Sequence, residues 1–188
     1  MDPDPASFIP LFLAIDFSFA SSFLLLFVLL FCSALISGAE VALFSLTRTD
    51  MEAGLEAKSK QIQIISNLLE RPKKLLATIL VANNFINIAI VILFAYIGAT
   101  LFENITSTVL RFTLEVVIVT FLILLFGEIL PKIYANRNPV KFATFMAYPL
   151  RFLDVVLSPI SMPMRAVTLG IHKKLGKQKS NLSVDQLS

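Results

Sequence analysis

The chain has no tryptophan, one cysteine, one histidine and, before Arg48, no lysine or arginine. Each absence excludes something. A lone Cys32 rules out an intramolecular disulfide, and its place in an apolar run reads as a small packing residue. The start carries Asp2 and Asp4 where a secretory signal would carry a basic segment. Without tryptophan, the usual ring anchors at a membrane–water boundary are missing. The single His172 sits among basic residues and reads as exposed. There is no nucleophile–base pair, no glycine-rich phosphate loop and no redox motif, so nothing argues for an enzyme. No internal repeat is visible. Charge is also scarce, at 15% of residues.

What is present is apolar surface. Of 188 residues, 56% are hydrophobic, including seventeen Phe, and the mean hydropathy is +0.81. That lies outside the range of water-soluble domains and indicates an integral membrane protein. Three apolar runs supply the spans. Residues 17–36 carry no charge, and at roughly 1.5 Å per residue they make about 30 Å of helix. Residues 75–102 are interrupted only by Asn83, Asn84 and Asn87. This run is longer than a perpendicular span requires, which predicts tilt or a break. The third run, 112–130, carries Glu115 near its start, at an interface, and Glu128 near its end.

The connecting segments differ. Thr49–Glu52 has the form of a capping box, and Leu55, Ile62, Ile65 and Leu69 recur at near-helical spacing. The spacing predicts one amphipathic helix over 49–71, ended or restarted by Pro72. Residues 142–171 are apolar but contain Arg151, Asp154 and Arg165 and are cut by Pro149, Pro159 and Pro163. Short interfacial helices fit this segment, with Arg151 and Asp154 spaced to pair. The expected organisation is an extracytoplasmic tail over 1–16, a membrane domain with juxtamembrane helices over 17–171, and a basic cytoplasmic linker over 172–188.

The basic residues orient the chain. Six lie between spans one and two, only Arg111 lies between spans two and three, and nine follow span three. A three-span fold with its N-terminus outside and C-terminus inside puts fifteen of sixteen basic residues in the cytoplasm. A fourth span would move the last four lysines outside. The basic tail suits anionic lipid, not nucleic acid.

That topology gives the polar interruptions a common depth. Ser37 follows the last residue of span one. Asn83 and Asn87, four apart on one helix face, lie in the first half of span two. Glu128 lies near the end of span three. All fall in the cytoplasmic half of the membrane. Asn84 points about 100° away from the Asn83/Asn87 face. A hydroxyl, two amide carbonyls and a carboxylate are hard oxygen ligands, suited to Mg²⁺, Ca²⁺ or Na⁺ and unlike the sulfur and imidazole ligands of zinc. Backbone carbonyls freed at Ser37-Gly38 or near Gly127 would add to them. Competing readings remain open. The Ser and Asn residues serve equally as hydrogen bonds between helices, and Glu128 is placed to snorkel or to pair with Lys132, four residues on. Glu40, three residues beyond Ser37, is either a second acidic contributor or an interfacial residue.

Three stretches, Ser37–Glu40, Thr78–Asn87 and Gly127–Lys132, resemble the signature segments of the DUF21 transmembrane domain shared by the CorB/CorC and CNNM (cyclin M) magnesium transporters. The resemblance covers roughly residues 20–170 and rests on all three motifs in order. The opening Met1–Pro5 is similar to the gliding-motility-associated GldE branch. The family implies an all-α membrane domain, a homodimer with three spans per subunit and a cytoplasmic belt of juxtamembrane helices. It implies a dehydrated Mg²⁺ at an inward-facing cavity, exported with Na⁺ as the candidate coupling ion. It matches the Mg²⁺ ligands to Ser37, Asn83, Asn87 and Glu128. The implied location is the bacterial inner membrane. Ala82 departs from the pattern, since many relatives carry Gly there. Relatives usually continue into a CBS pair that binds ATP, then often a CorC/HlyC domain. Residues 182–188 resemble the linker into that pair, so a longer protein is expected. The alternative function is a membrane scaffold of a gliding or secretion apparatus, with the polar layer serving only helix packing.

Overall fold

The structure is a computed structural model and describes residues 9–158, with side chains from residue 19 onward. Residues 1–8 of the expected tail over 1–16, Pro159, Pro163, Arg165, His172 and the linker over 172–188 lie outside the described residues, while residues 9–16, expected as tail, are helical and open α1. Every regular element described is helical: α1 (Ile9–Phe44), α2 (Arg48–Glu56), α3 (Lys60–Leu69), α4 (Pro72–Leu101), α5 (Thr108–Leu122), a π-helical segment (Ile123–Ile129), α6 (Leu130–Arg137) and α7 (Pro139–Val156). Three helical stretches, Phe19–Phe44, Pro72–Leu101 and Thr108–Arg137, are long and apolar enough to cross a membrane. They keep large apolar side chains outward, such as Phe27 at 69%, Phe85 at 76% and Val109 at 77% exposed. Such a surface is stable only against hydrocarbon. The protein is a multi-pass membrane protein.

The chain divides into two units. The first holds α1, the part of α4 from Asn83 onward, α5, the π segment and α6. Its apolar core is Leu26, Ile90, Phe94, Ile97, Val119 and Ile123. At the turn between α4 and α5, Ser107 caps α5 by accepting from Leu110 N–H at 3.4 Å. Arg111 Nε donates to Glu115 Oε1 at 3.0 Å one turn on. Glu115 then lies against Gly98, where an added Cβ would sit 2.7 Å from Oε1. The interfacial glutamate is thus neutralised by its own helix and seated over a glycine.

The second unit holds α2, α3, the first turns of α4, and α7. The single amphipathic helix expected over 49–71 is two helices. Lys58 adopts φ 53°, a left-handed conformation that no helix continues through, and Ser59 starts α3 by accepting from Ile62 N–H. The capping box is Thr47 with Asp50, two residues earlier than the sequence pattern suggested. Asp50 Oδ2 accepts from Thr47 N–H at 3.0 Å and from its hydroxyl at 2.6 Å, while Thr47 Oγ1 accepts from Asp50 N–H at 3.1 Å. Those bonds hold the Asp50 carboxyl below the usual aspartate range. On α3 the buried residues are Ile62, Ile64, Ile65 and Leu68, and Leu55 on α2 is exposed. Gly54 admits the close approach of α2 to α3, since a Cβ there would meet Ile62 at 2.6 Å. Pro72 opens α4 where proline costs no hydrogen bond. Pro149 lies inside α7 without ending it, and Ala143, Met146, Ala147 and Leu150 form that helix's buried stripe.

Candidate cation site

Ser33, Ser37, Asn83, Asn87, Gly127 and Glu128 all belong to the first unit. Helix α1 runs unbroken through Ser37-Gly38, so the expected unwinding there does not occur. Ser33 and Ser37 are four apart on one helix face, and both are almost wholly buried, at 0% and 1% exposure. Asn83 and Asn87 present the matching face of α4, while Asn84 is exposed, as the helical step requires. Helix α4 shows no break over its whole length.

The junction is made by Ser33, which sequence reasoning passed over. Its Oγ lies 3.1 Å from Asn83 Oδ1 and 2.8 Å from Asn87 Oδ1. A serine hydroxyl has one proton, so it donates to only one of these carbonyl oxygens at a time. Asn87 is oriented by a third contact, its Nδ2–H donating to Glu128 Oε1 at 3.4 Å. Ser33 thus joins Asn83 to Asn87, and Asn87 joins Glu128 to them. Ser37, the serine singled out by motif, makes none of these bonds: its Oγ is buried with no hydrogen-bond partner. The one signal that could have found Ser33 is its spacing of four from Ser37.

The third wall is shaped by an irregular helix. Over Ile123–Ile129 the backbone is π-helical, and Leu130 N–H bonds back to Leu125 C=O, five residues earlier. Pro131 follows with no N–H to donate, so a carbonyl in the turn containing Gly127 loses its helical partner. Such segments are frequent at functional sites. Gly127 is buried, and an added Cβ would stand 3.0 Å from Ser33 Oγ. The glycine lets the π segment lie against α1 at the level of Ser33.

Neighbouring charges leave Glu128 to the site. Lys132, the expected i+4 partner, instead reaches Glu40 at 3.5 Å. One helical turn further on, Ser45 Oγ donates to Asn136 Oδ1 at 3.2 Å, tying the ends of α1 and α6. Glu40 thus serves as an interfacial ion-pair partner, and Glu128 keeps only the Asn87 amide among the described contacts. Among the described residues, no three His, Cys, Asp or Glu side chains converge to hold a metal. Any cation held here would be bound by hydroxyl and amide oxygens with a single carboxylate, which disfavours zinc and copper.

Known proteins resemble this chain over most of its length. Residues 24–187 match the cyclin M transmembrane N-terminal domain. A UPF0053 protein of Haemophilus influenzae is 30% identical over 169 residues, covering 88% of this chain and 39% of its own. The UPF0053 inner membrane protein YfjD of Escherichia coli is 26% identical over 144 residues, covering 77% and 32%. The metal transporter cnnm-4 of Caenorhabditis elegans is 29% identical over 168 residues, covering 84% and 33%. The chain thus spans about a third to two-fifths of the length of these relatives. With three apolar spans and a family match over most of its length, the chain belongs to the cyclin M (CNNM) transmembrane-domain family.

Proposed function

We propose that this chain is the membrane domain of a divalent-cation transporter, with Mg²⁺ as its cargo, exported in exchange for Na⁺. One observation carries the reading. Ser33 Oγ, Asn83 Oδ1 and Asn87 Oδ1 crowd together with one proton among them, beside the unpartnered Ser37 hydroxyl one turn along α1. Oxygens so placed are short of donors, and a cation relieves that shortage. Ser33, Ser37, Asn83 and Asn87 offer neutral oxygens, and Glu128 offers the only full charge. A carbonyl opened by Pro131 adds a backbone ligand in the turn of Gly127. Dehydrated Mg²⁺ demands near-octahedral oxygen geometry, which a set drawn from three helices can supply.

The basic loops orient the site toward the cytoplasm, which suits a cargo loaded from inside. The family also implies a homodimer as the working unit; light scattering of the detergent-solubilised protein at twice the chain mass is the expected result. In a longer protein carrying a CBS pair, ATP bound there acts on this domain through residues 172–188.

The deciding experiment measures thermal unfolding against MgCl₂. Saturation at about 100 times Kd should raise Tm by roughly 5–10 °C for a chain of this size. Glu128→Ala should abolish the shift; a shift that survives the substitution refutes the assignment. Proteoliposome Mg²⁺ flux with and without a Na⁺ gradient then tests export and coupling. A polar layer serving only helix packing, in a membrane scaffold, gives neither a saturable shift nor flux.

A further inference from the structure

The second unit carries a cavity of about 390 Å³ between the end of α3, the start of α4 and the last turns of α7. Its charged lining is Glu70, Arg71, Lys74, Arg151 and Asp154. Lys74 Nζ and Asp154 Oδ2 form an ion pair at 2.7 Å, with the two side chains only 12% and 20% exposed. That pair is not the Arg151–Asp154 pairing that the sequence spacing suggested. By taking Asp154, Lys74 joins α4 to α7 and leaves Arg151 without an ion pair among the described residues. Arg71 is likewise exposed and without an ion pair among them. Two guanidinium groups thus face one cavity, with Glu70 the only acidic group not already neutralised there. Guanidinium pairs match the planar oxygens of a phosphate group.

Position decides which phosphate. Lys73 and Lys74 immediately precede Leu75, where the apolar stretch of α4 begins, so the cavity opens where chain passes from water to hydrocarbon. Ile64, Leu68 and Val155 give it an apolar wall. Beyond that wall, α7 exposes Phe152 at 67%, Val155 at 67% and Val156 at 50%. A free phosphate would use only the arginines; a molecule with a phosphate head and an acyl tail uses both surfaces. Of the remaining polar groups, Asn67 can donate to or accept from headgroup hydroxyls, and the Glu70 carboxylate can accept from them. Basic pockets at the cytoplasmic ends of spans are where anionic headgroups bind.

We infer that this cavity is a binding site for the headgroup of an anionic, hydroxyl-bearing phospholipid, with its phosphodiester between Arg71 and Arg151 and its acyl chains along α7. The site is separate from the cation layer and does not depend on it.

The test uses the full chain, delipidated in detergent with EDTA present. Tm is followed on adding phosphatidylglycerol, phosphatidylethanolamine or inorganic phosphate. Phosphatidylglycerol at about tenfold excess over Kd should raise Tm by roughly 3–6 °C. Phosphatidylethanolamine should give less than half that increment. In Arg71→Gln/Arg151→Gln the difference between the lipids should vanish. In Lys58→Gln/Lys60→Gln, which removes the same charge elsewhere, it should persist. Equal responses to both lipids, equal loss in both double variants, or full reproduction by inorganic phosphate each overturn the inference. Should the cavity double variant not fold, native mass spectrometry of the wild type and of Arg71→Gln alone decides. One retained phosphatidylglycerol per wild-type chain, lost in the variant, supports the site; retention in both overturns it.

Discussion

Replacing Ser33 by alanine removes the proton that Asn83 and Asn87 compete for and one oxygen of the layer. Two part-buried carbonyls then lose their donor, at a cost of about 1–3 kcal/mol without cation. The midpoint of the Mg²⁺-dependent Tm shift should rise by roughly 10–100-fold, the usual effect of disturbing groups that orient ligands. Gly127→Ala tests the same oxygen from the other side. Its methyl would stand 3.0 Å from Ser33 Oγ. Helix propensity favours alanine by up to ~1 kcal/mol and overpacking opposes it by about 1–3 kcal/mol. The expected outcome is a small net loss of stability with a clear loss of Mg²⁺ response, read from the same melting curves. At this scale the sequence was partly legible. Asn83 and Asn87 announced themselves by a spacing of four inside an apolar run, and Glu128 by its charge. Ser33 did not, because one hydroxyl in a run of Phe and Leu carries no cost in a helix that can satisfy it. The partner of Lys132 was not legible either, since helical spacing offers Glu128 four residues before it, while its actual partner Glu40 lies on α1, where only packing brings it near.

Elements show where local rules ended. The three spans could be drawn from hydropathy alone, because twenty apolar residues in water have no alternative. The π segment could not, since neither Gly127 nor the charge of Glu128 signals a π turn, and only Pro131 beyond it hints that a donor is missing. Pro131→Ala returns that donor. It should raise Tm by an amount approaching the ~3 kcal/mol that proline costs inside a helix. It should also reduce the Mg²⁺-dependent shift, as the open carbonyl closes and the π turn relaxes. A variant more stable and equally responsive to Mg²⁺ would separate the π segment from the site. At the start of α2 the pattern Thr-x-x-Glu beginning at Thr49 drew attention away from Thr47 and Asp50, because a box fits either register and Arg48 gives no reason to choose. Thr47→Ala should cost about 0.5–2 kcal/mol. Asp50 supplies a pH signature. Its folded carboxyl titrates below its unfolded value, so its contribution is complete above the ordinary aspartate range and is lost as pH falls through the lowered folded value. Wild type should therefore melt above Asp50→Asn at pH 7, and the gap should close as the buffer is acidified through and below the ordinary aspartate range.

For the whole molecule, charge distribution is the strongest sequence signal, and labelling can check it. In a Cys32→Ser background, a membrane-impermeant maleimide added to intact cells should modify Asn104→Cys, in the loop after α4. It should spare Gln63→Cys on α3 until the cells are opened. The reverse pattern would invert the protein and place the cation layer at the outer face. With the basic loops inside, an ion at Ser33, Asn83, Asn87 and Glu128 has crossed only the inner part of the membrane. Between it and the outside stand Leu26, Ile90, Phe94, Ile97, Val119 and Ile123, packed together as an apolar plug. If the layer carries a transported cation, as proposed above, this packing must part to let it pass outward. The electric field acts across the same stretch. A divalent ion carried through the full potential does work of about 4.6 kcal/mol per 100 mV, twice the single-charge value. Most of that work falls on the passage through the plug, so turnover by such a protein should depend steeply on membrane voltage while cation binding from the cytoplasm hardly changes with it.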